Sequence, residues 1–203
     1  MCSRFEQKVR AKEVARRFGL TDTPPLVNTA EVRPTDQALV ITTVGNPNGN
    51  SIIISGLMAW GFEVPWDSNP LINARSETLS TKTTFQDKLE YRCIIPASAY
   101  YEWRKDDCGK YKNTISVEGQ ESFSMAGLID NNHFIIITCP SVPDISHIHN
   151  RMPVILSGEA EQAWINSELT FDDVRQNLFA FNAGALKVEE DVPPAPAQRD
   201  LFD

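Results

Sequence analysis

The sequence predicts a single α+β domain in which antiparallel strands are flanked by helices. Short β-like segments follow one another closely from Tyr91 to Cys139, and their connections are too short for the helical crossovers of a parallel sheet. Helical patterns lie mainly at the two ends of the chain, from Phe5 to Phe18 and after Gly158. The length of 203 residues suits one domain with a sizeable core.

The first elements follow from apolar periodicity and turn residues. Apolar residues recur in a loose helical stripe from Phe5 to Phe18, and Gly19 would end that helix. This interpretation places Cys2 just before a helix amino terminus, where a thiolate would be stabilised. The next predicted strands are Ala38 to Val44 and Ser51 to Trp60, separated by the turn-forming string GNPNGN.

The remaining elements complete the predicted domain. A short amphipathic stretch lies around Phe85 to Leu89, and the strand-like segments are YRCIIPASAYYEW, YKNTISVEG, SFSMAGLID, HFIIITC and PVILSG. Two short helices are predicted in GEAEQAWINS and TFDDVRQNLFAF. The last stretch, VPPAPAQRDLFD, is proline-rich and acidic, which is typical of a flexible tail. The sequence therefore predicts a domain over residues 1–190 and a tail over 191–203.

Composition argues against several classes of protein. No apolar run approaches the roughly 20 residues of a membrane helix, and the start lacks a signal-peptide pattern, so we expect a cytoplasmic protein with no membrane partner. A formal charge of −8 argues against a protein that coats nucleic acid by charge alone. The acids are concentrated from Val188 to Asp203, whereas bases outnumber acids from Arg4 to Arg17. A local anion site therefore remains compatible with the composition.

Cys2 directly follows Met1, and methionine aminopeptidases remove an initiator methionine when the next side chain is small. The mature chain would then carry an α-amine, which titrates near ~8, and a thiol on one residue. That amine can condense with an aldehyde to an imine, and the thiol can close the imine to a thiazolidine. Two alternatives remain open: an acyl-transfer nucleophile with the amine as its base, and a small buried apolar residue.

Four further positions carry groups suited to a site. Glu102, inside the aromatic run YYEW, is either a surface residue or a desolvated proton donor. In NARSET, Asn73 can both donate and accept hydrogen bonds, and Arg75 offers a planar fork for phosphate. Glu77 is the alternative, structural partner for Arg75. Trp66, in PWDSNP, is either a core anchor or an exposed surface on which a base stacks.

The segment HIHNRMP contributes two histidines in alternation. In an extended conformation His147 and His149 would point the same way, and together with Cys139 they would supply three zinc ligands. A fourth ligand is not evident, and the four cysteines lack a CxxC spacing. One histidine is more readily a general acid or base and the other a structural residue, and the sequence does not choose between them. We therefore predict reduced thiols, no metal and no cofactor.

The order of these motifs resembles that of the SOS-response-associated peptidase (SRAP) family, whose members shield abasic sites in DNA. The resemblance spans Cys2 to about Leu156 and rests on MCSRF, VRPTD, WGF and PW, NARSET, RCIIPASAYYEW, FSMAGLID and HIHNRMP. It implies a barrel-like, bifurcated β-sheet. It also implies an enzyme of the DNA damage response that forms a covalent, self-reversing crosslink to abasic sites in single-stranded DNA.

The resemblance further implies catalytic roles. Loss of Met1, attributed to peptidase-like chemistry of the same pocket, would free Cys2 to form a thiazolidine with the ring-opened sugar. The enzyme would have lyase-type chemistry in addition: Glu102 would move protons during sugar ring opening, and His149 would assist imine formation and reversal. Asn73 would position the sugar or the amine.

The DNA contacts implied by the resemblance lie outside this catalytic set. Arg4 and Arg75 would hold phosphates without reading bases, and Trp66 would pack against a splayed base. The chain departs from the family pattern in having Ser3 where glycine is usual, and His147 is additional to the motif. Two other functions remain open from the residues themselves: a cysteine peptidase acting on protein substrates, and a non-covalent reader of modified DNA.

The predicted tail contains a possible docking peptide. QRDLF fits the Qx[SD]LF peptides by which bacterial replication and repair proteins bind the sliding clamp, and the alternative is a chance match. The residues concerned are Gln198, Asp200, Leu201 and Phe202. The expected partners are therefore single-stranded DNA that contains abasic sites and a bacterial sliding clamp, and we expect a monomer.

Overall fold

A computed structural model describes residues 2–45, 51–107, 109–156, 158–179, 181 and 185–191 of the chain. The strands are β1 Arg4–Val9, β2 Val27–Val32, β3 Gln37–Gly45, β4 Ser51–Trp60, β5 Phe62–Val64, β6 Asp67–Leu71, β7 Asn73–Arg75, β8 Arg92–Ala97, β9 Ala99–Asp106, β10 Gly109–Val117, β11 Phe123–Asp130, β12 His133–Pro140, β13 Arg151–Pro153, β14 Ile155–Leu156 and β15 Leu186–Glu190. The helices are α1 Ala11–Phe18, α2 Thr83–Gln86, α3 Pro143–Ser146, α4 Glu159–Ile165 and α5 Phe171–Val174, with 3-10 turns at Ser76–Thr78 and Arg175–Asn177.

The larger sheet closes on itself. Its order is β13-β12-β4-β3-β8-β11-β14, and β12 also pairs with β11, so β12, β4, β3, β8 and β11 form a ring. Most pairs are antiparallel, but β12 runs parallel to both β4 and β7. The expected α+β architecture with a barrel-like sheet is confirmed, and the parallel pairs arise because the strands concerned are not neighbours in the chain.

A second sheet, with the order β15-β10-β9-β1-β2, lies against this ring. The buried side chain of Gln7 in β1 connects the two sheets. Its amide nitrogen donates to the carbonyl oxygens of Leu39 (3.0 Å) and Pro96 (2.8 Å), and its oxygen accepts from the Leu39 backbone N–H at 2.7 Å. These bonds supply partners for groups that would otherwise be buried without them, and they hold the start of the chain against the ring.

The amino-terminal segment differs from its prediction. Residues 4–9 form a strand rather than the first turns of a helix, and the helix is limited to α1, which Gly19 ends with φ +62°. Phe5, Gln7 and Val9 point inward with the two-residue period of a strand. A polar residue in the middle of that series conceals the period, because the buried amide of Gln7 is satisfied only by distant backbone groups.

Most other elements agree with the sequence. The strands predicted at residues 38–44 and 51–60 are β3 and β4, and the two predicted carboxyl-terminal helices are α4 and α5. The strand β15 pairs with β10 and was not predicted. Within the described residues, every helix is too short or too polar to cross a membrane. The residues of the possible clamp peptide, Gln198 to Phe202, lie outside the described part of the chain, so that interpretation stays a prediction.

Candidate active site at the amino terminus

Cys2 lies immediately before β1, at the junction of the two sheets. The pairing of β1 with β9 places Phe5 opposite Tyr100 and Arg4 opposite Tyr101, so the chain start runs along β9. Cys2 is completely buried, and its thiol donates a 3.6 Å hydrogen bond to the carbonyl oxygen of Arg4. The burial agrees with the structural alternative for this residue, so its chemistry has to be judged from its neighbours.

Asn73 holds Cys2 from the other side. It begins β7, which is kept in place by its parallel pairing with β12, and its Nδ2 donates a 2.7 Å hydrogen bond to the carbonyl oxygen of Cys2. Its Oδ1 is buried and has no hydrogen-bond partner among the described residues. One end of the amide therefore anchors the chain start, and the other end remains able to accept a hydrogen bond.

Glu102 is buried, which contradicts the alternative of a surface residue. It lies on β9 two residues after Tyr100, on the same face, and only 3% of its surface is exposed. Burial raises the pKa of Glu102, because the charged carboxylate loses its hydration. The pKa of the Cys2 thiol is also raised, mainly by burial and further by the negative charge of Glu102. The expectation of a thiolate stabilised by a helix is therefore wrong: a strand follows Cys2, and the thiol keeps its proton.

His149 lies in the turn between α3 and β13. His149 Nδ1 lies 3.0 Å from the backbone nitrogen of Arg151, from which it accepts in one tautomer, and 3.2 Å from the Arg151 carbonyl oxygen, to which it donates in the other. Burial lowers the pKa of His149, which favours the neutral form of the ring. His147 is exposed at the carboxyl end of α3, so the two rings are not presented by one extended segment. In the described ranges, the His, Cys, Asp and Glu side chains form no metal-binding group of three or more.

An ion pair that sequence reasoning missed holds the histidine segment. Glu77 accepts hydrogen bonds from both terminal nitrogens of Arg151, and the same guanidinium donates to the Thr138 carbonyl oxygen at 2.6 Å. Arg151 accordingly holds the pKa of Glu77 down at about 2. Glu77 therefore does not serve Arg75, the alternative raised by the spacing of NARSET. Arg151 was visible within the HIHNRMP motif, but no local signal identified its partner.

Arg4 is also paired, through a residue that the sequence did not single out. Its guanidinium forms an ion pair with Glu31, which also contacts Arg33 at 3.0 Å and Lys112 at 3.2 Å. One carboxylate thus lies among three basic side chains beside the start of β1. A phosphate would meet the same three bases, but it would have to share them with Glu31 or displace it.

The two remaining predicted DNA contacts lie on the surface. Trp66 is 65% exposed in the turn between β5 and β6, so it is not a core anchor. Arg75 is exposed at the end of β7, and it makes no ion pair with another described residue. The fold thus brings Cys2, Asn73 and Glu102 together in its interior, connects His149 to the turn after β7, and leaves Trp66 and Arg75 outside.

Comparisons with known proteins give the family and the fold of this chain. A sequence model of the family described as SOS response associated peptidase (SRAP) matches residues 1–193. The abasic site processing protein YoqW of Bacillus subtilis is 32% identical over 197 residues, which cover 88% of this chain and 86% of that protein. The abasic site processing protein YedK of Escherichia coli is 33% identical over 122 residues, or 55% of this chain and 54% of that protein. A crystal structure of a Bacteroides thetaiotaomicron protein has the same fold, with a TM-score of 0.75 at 24% identity, covering 93% of this chain and 91% of that one.

Proposed function

Because this chain belongs to the SOS response associated peptidase (SRAP) family, we propose that it processes abasic sites in DNA by forming a covalent crosslink through Cys2. The observation that carries the proposal is the placement of Cys2. Asn73 holds its carbonyl oxygen, and Glu102, a buried carboxyl of raised pKa, interacts with its thiol. These are the groups that imine chemistry at an amino-terminal cysteine requires: a fixed nucleophile and a proton donor that remains protonated above its ordinary range.

The first step joins the amine to the sugar. Once Met1 is removed, the Cys2 nitrogen attacks the C1′ aldehyde of the ring-opened abasic sugar and forms a carbinolamine. Glu102 gives its proton to the departing hydroxyl, which leaves as water, so an iminium and a Glu102 carboxylate result. The Oδ1 of Asn73, which is buried without a partner among the described residues, accepts a hydrogen bond from the Cys2 nitrogen and directs it at C1′.

The second step closes the ring. The Cys2 thiol gives its proton to the Glu102 carboxylate, and the sulfur forms a bond to the iminium carbon while the C=N electron pair moves to nitrogen. The product is a thiazolidine, and Glu102 is protonated again, ready for the reverse reaction. His149, whose pKa is lowered by burial, would assist proton transfer at the sugar oxygen during imine formation and during reversal.

The exposed residues supply DNA binding. Trp66 offers a ring face to an unpaired base, and Arg75 offers a guanidinium to a phosphate. Arg4 would reach a phosphate only through the cluster around Glu31. Because the net charge is −8, the protein surface as a whole repels DNA, and the attraction has to come from a few local contacts.

The decisive experiment is the intact mass of the protein after incubation with a single-stranded oligonucleotide that contains an abasic site. We expect loss of the Met1 mass and a denaturation-resistant adduct. Cys2→Ala should abolish the stable adduct. Cys2→Ser is the matched control, because it replaces only the sulfur by oxygen; both variants keep the amine and should give an imine that borohydride traps but no thiazolidine.

Other outcomes identify the competing functions. An equally stable adduct with Cys2→Ala would overturn the assignment of the nucleophile. Tight binding without any adduct, unaffected by changes at Cys2 and Glu102, would indicate a non-covalent reader of modified DNA. Cleavage of unrelated proteins that disappears with Cys2→Ala would indicate a peptidase acting on protein substrates.

A further inference from the structure

The hydroxyl of Tyr100 is a buried polar group that the reaction described above does not use. The side chain is fully buried on β9, and its Oη has no hydrogen-bond partner among the described residues. The ring packs edge-on against Phe123 at 6.4 Å and lies opposite Phe5 in the β1–β9 pairing. A buried hydroxyl without a hydrogen-bond partner lowers stability, and a phenylalanine would fill the same space without that cost.

This hydroxyl belongs to the same cluster as the reacting groups. Tyr100 and Glu102 are two residues apart on one face of β9, and both are buried. Burial raises the pKa of Tyr100 well above its usual value, and negative charge on Cys2, Glu102 or Cys139 raises it further. The phenol therefore keeps its proton and acts as a hydrogen-bond donor beside atoms that become negative during the reaction.

We propose that the Tyr100 hydroxyl donates a hydrogen bond to the sulfur of Cys2 while the thiazolidine closes. The inference rests on the proposed function and adds a residue to it. When the thiol proton passes to Glu102, the sulfur carries negative charge in a buried site that offers it no cationic side chain among its described neighbours. A preorganised donor stabilises that charge, and Tyr100 keeps its own proton throughout. The Tyr100 hydroxyl, which has no hydrogen-bond partner among the described residues, is thus available to donate to the sulfur during ring closure.

The neighbouring tyrosine provides a matched control. The Tyr101 hydroxyl donates to the carbonyl oxygen of Ala30 at 2.8 Å and contacts Glu6 Oε2 at 3.3 Å, on the opposite face of β9. Tyr100→Phe and Tyr101→Phe delete the same atom from adjacent residues. The first deletion removes a group without a partner, and the second breaks existing hydrogen bonds.

The test begins with stability and rate. Tyr100→Phe should raise the melting temperature by about 2–4 °C, whereas Tyr101→Phe should lower it. With an abasic oligonucleotide, Tyr100→Phe should form the borohydride-trappable imine at the wild-type rate but convert it to the borohydride-resistant adduct about 10-fold more slowly. Tyr101→Phe should leave both rates unchanged. Equal rates of ring closure in Tyr100→Phe and the wild type would overturn the inference.

A second readout requires no DNA. In protein lacking Met1, the thiolate of Cys2 is titrated by its absorbance at 240 nm, with the Cys2→Ser protein subtracted. The titratable groups around this thiol are its own α-amine, Glu102 and Tyr100 on β9, Cys139 of β12, whose charge acts on Tyr100, and His149, whose charge interacts with the amino terminus. Tyr100→Phe should move the titration to higher pH by about one unit. An unchanged titration of the Cys2 thiol in Tyr100→Phe would also count against the inference. If Tyr100→Phe shifts this titration as expected but the wild type forms no adduct with DNA, the proposed function alone would be overturned.

Discussion

The candidate site has a buried interior and an exposed rim, and the two differ in their contact with solvent. The interior group, Cys2, Asn73 and Glu102, lies where β1, β7 and β9 meet, and burial controls its proton affinities. The rim, Trp66 and Arg75, lies at a turn and a strand end and is exposed. Desolvation gives the interior its reactivity but leaves it little surface for binding a polymer. The rim has such surface, so we propose that the interior performs the chemistry and that the rim binds DNA.

The largest expected effect comes from Glu102→Gln. Removing the general acid should slow adduct formation by roughly 10²–10⁴-fold, measured by single-turnover quenching on denaturing gels. The pKa of Glu102 is raised in the folded state. The stability that protonated Glu102 contributes is therefore present below the unfolded pKa of about 4.3 and is lost as pH rises through the folded pKa. A glutamine side chain does not ionise, so the Glu102→Gln variant keeps its stability as pH rises and should be more stable than the wild type at pH 8.

Glu190→Gln is a suitable control, because this glutamate lies on the exposed strand β15. It should leave the rate of adduct formation unchanged. A Glu102→Gln protein with wild-type kinetics would show that the interior group does not supply the proton.

A smaller effect is expected from Trp66→Ala at the rim. Loss of one stacking ring should weaken binding of single-stranded DNA by about 1–3 kcal/mol, measured by fluorescence anisotropy with an oligonucleotide that lacks an abasic site. The melting temperature should not change, because the side chain is 65% exposed.

Arg75→Ala provides the comparison within the rim. It should reduce the dependence of log K on log salt by about 0.7, the value for one phosphate contact on single-stranded DNA. A change in the rate of ring closure at saturating DNA, for either variant, would break the proposed division between interior and rim.

The smallest effect is expected from Glu77→Gln, which removes the ion pair with Arg151. Because the Glu77 side chain is 46% exposed, we expect a loss of about 1 kcal/mol in the free energy of unfolding at pH 7, measured by urea denaturation. The pKa of Glu77 is lowered to about 2, so this contribution is present above the unfolded value of about 4.3 and is lost as pH falls towards 2. The wild type and the variant should therefore converge in acid, and a constant difference across that range would contradict the assigned pair.

The sequence predicted the positions of helices and strands better than it predicted which distant segments they contact. The strands at β3 and β4 and the helices α4 and α5 follow from local periodicity, so they were predictable. The strand β1 was not, because Gln7 interrupts an apolar alternation and is accommodated only by Leu39 and Pro96. The strand β15 likewise depends on its pairing with β10. In each of these two strands a distant partner strand, rather than the local pattern, decides the conformation.

The same distinction applies to the site. The residue types at Cys2, Asn73, Glu102 and His149 and the motifs around them were sufficient to nominate them. Whether Glu102 was buried or exposed, and whether Glu77 paired with Arg75 or Arg151, was not decided by the sequence. The role of Glu31 beside Arg4 carried no signal at all.

By itself, the sequence determined the reagents and the order of the elements: an amine and a thiol on one residue after Met1, a carboxyl within an aromatic strand, and strands in close succession. The tertiary structure alone decided the burial of these groups, the identity of their partners and hence the directions of their pKa shifts. The physical reason is that side-chain identity is a local property, whereas desolvation and ion pairing depend on atoms that the fold brings together from distant segments.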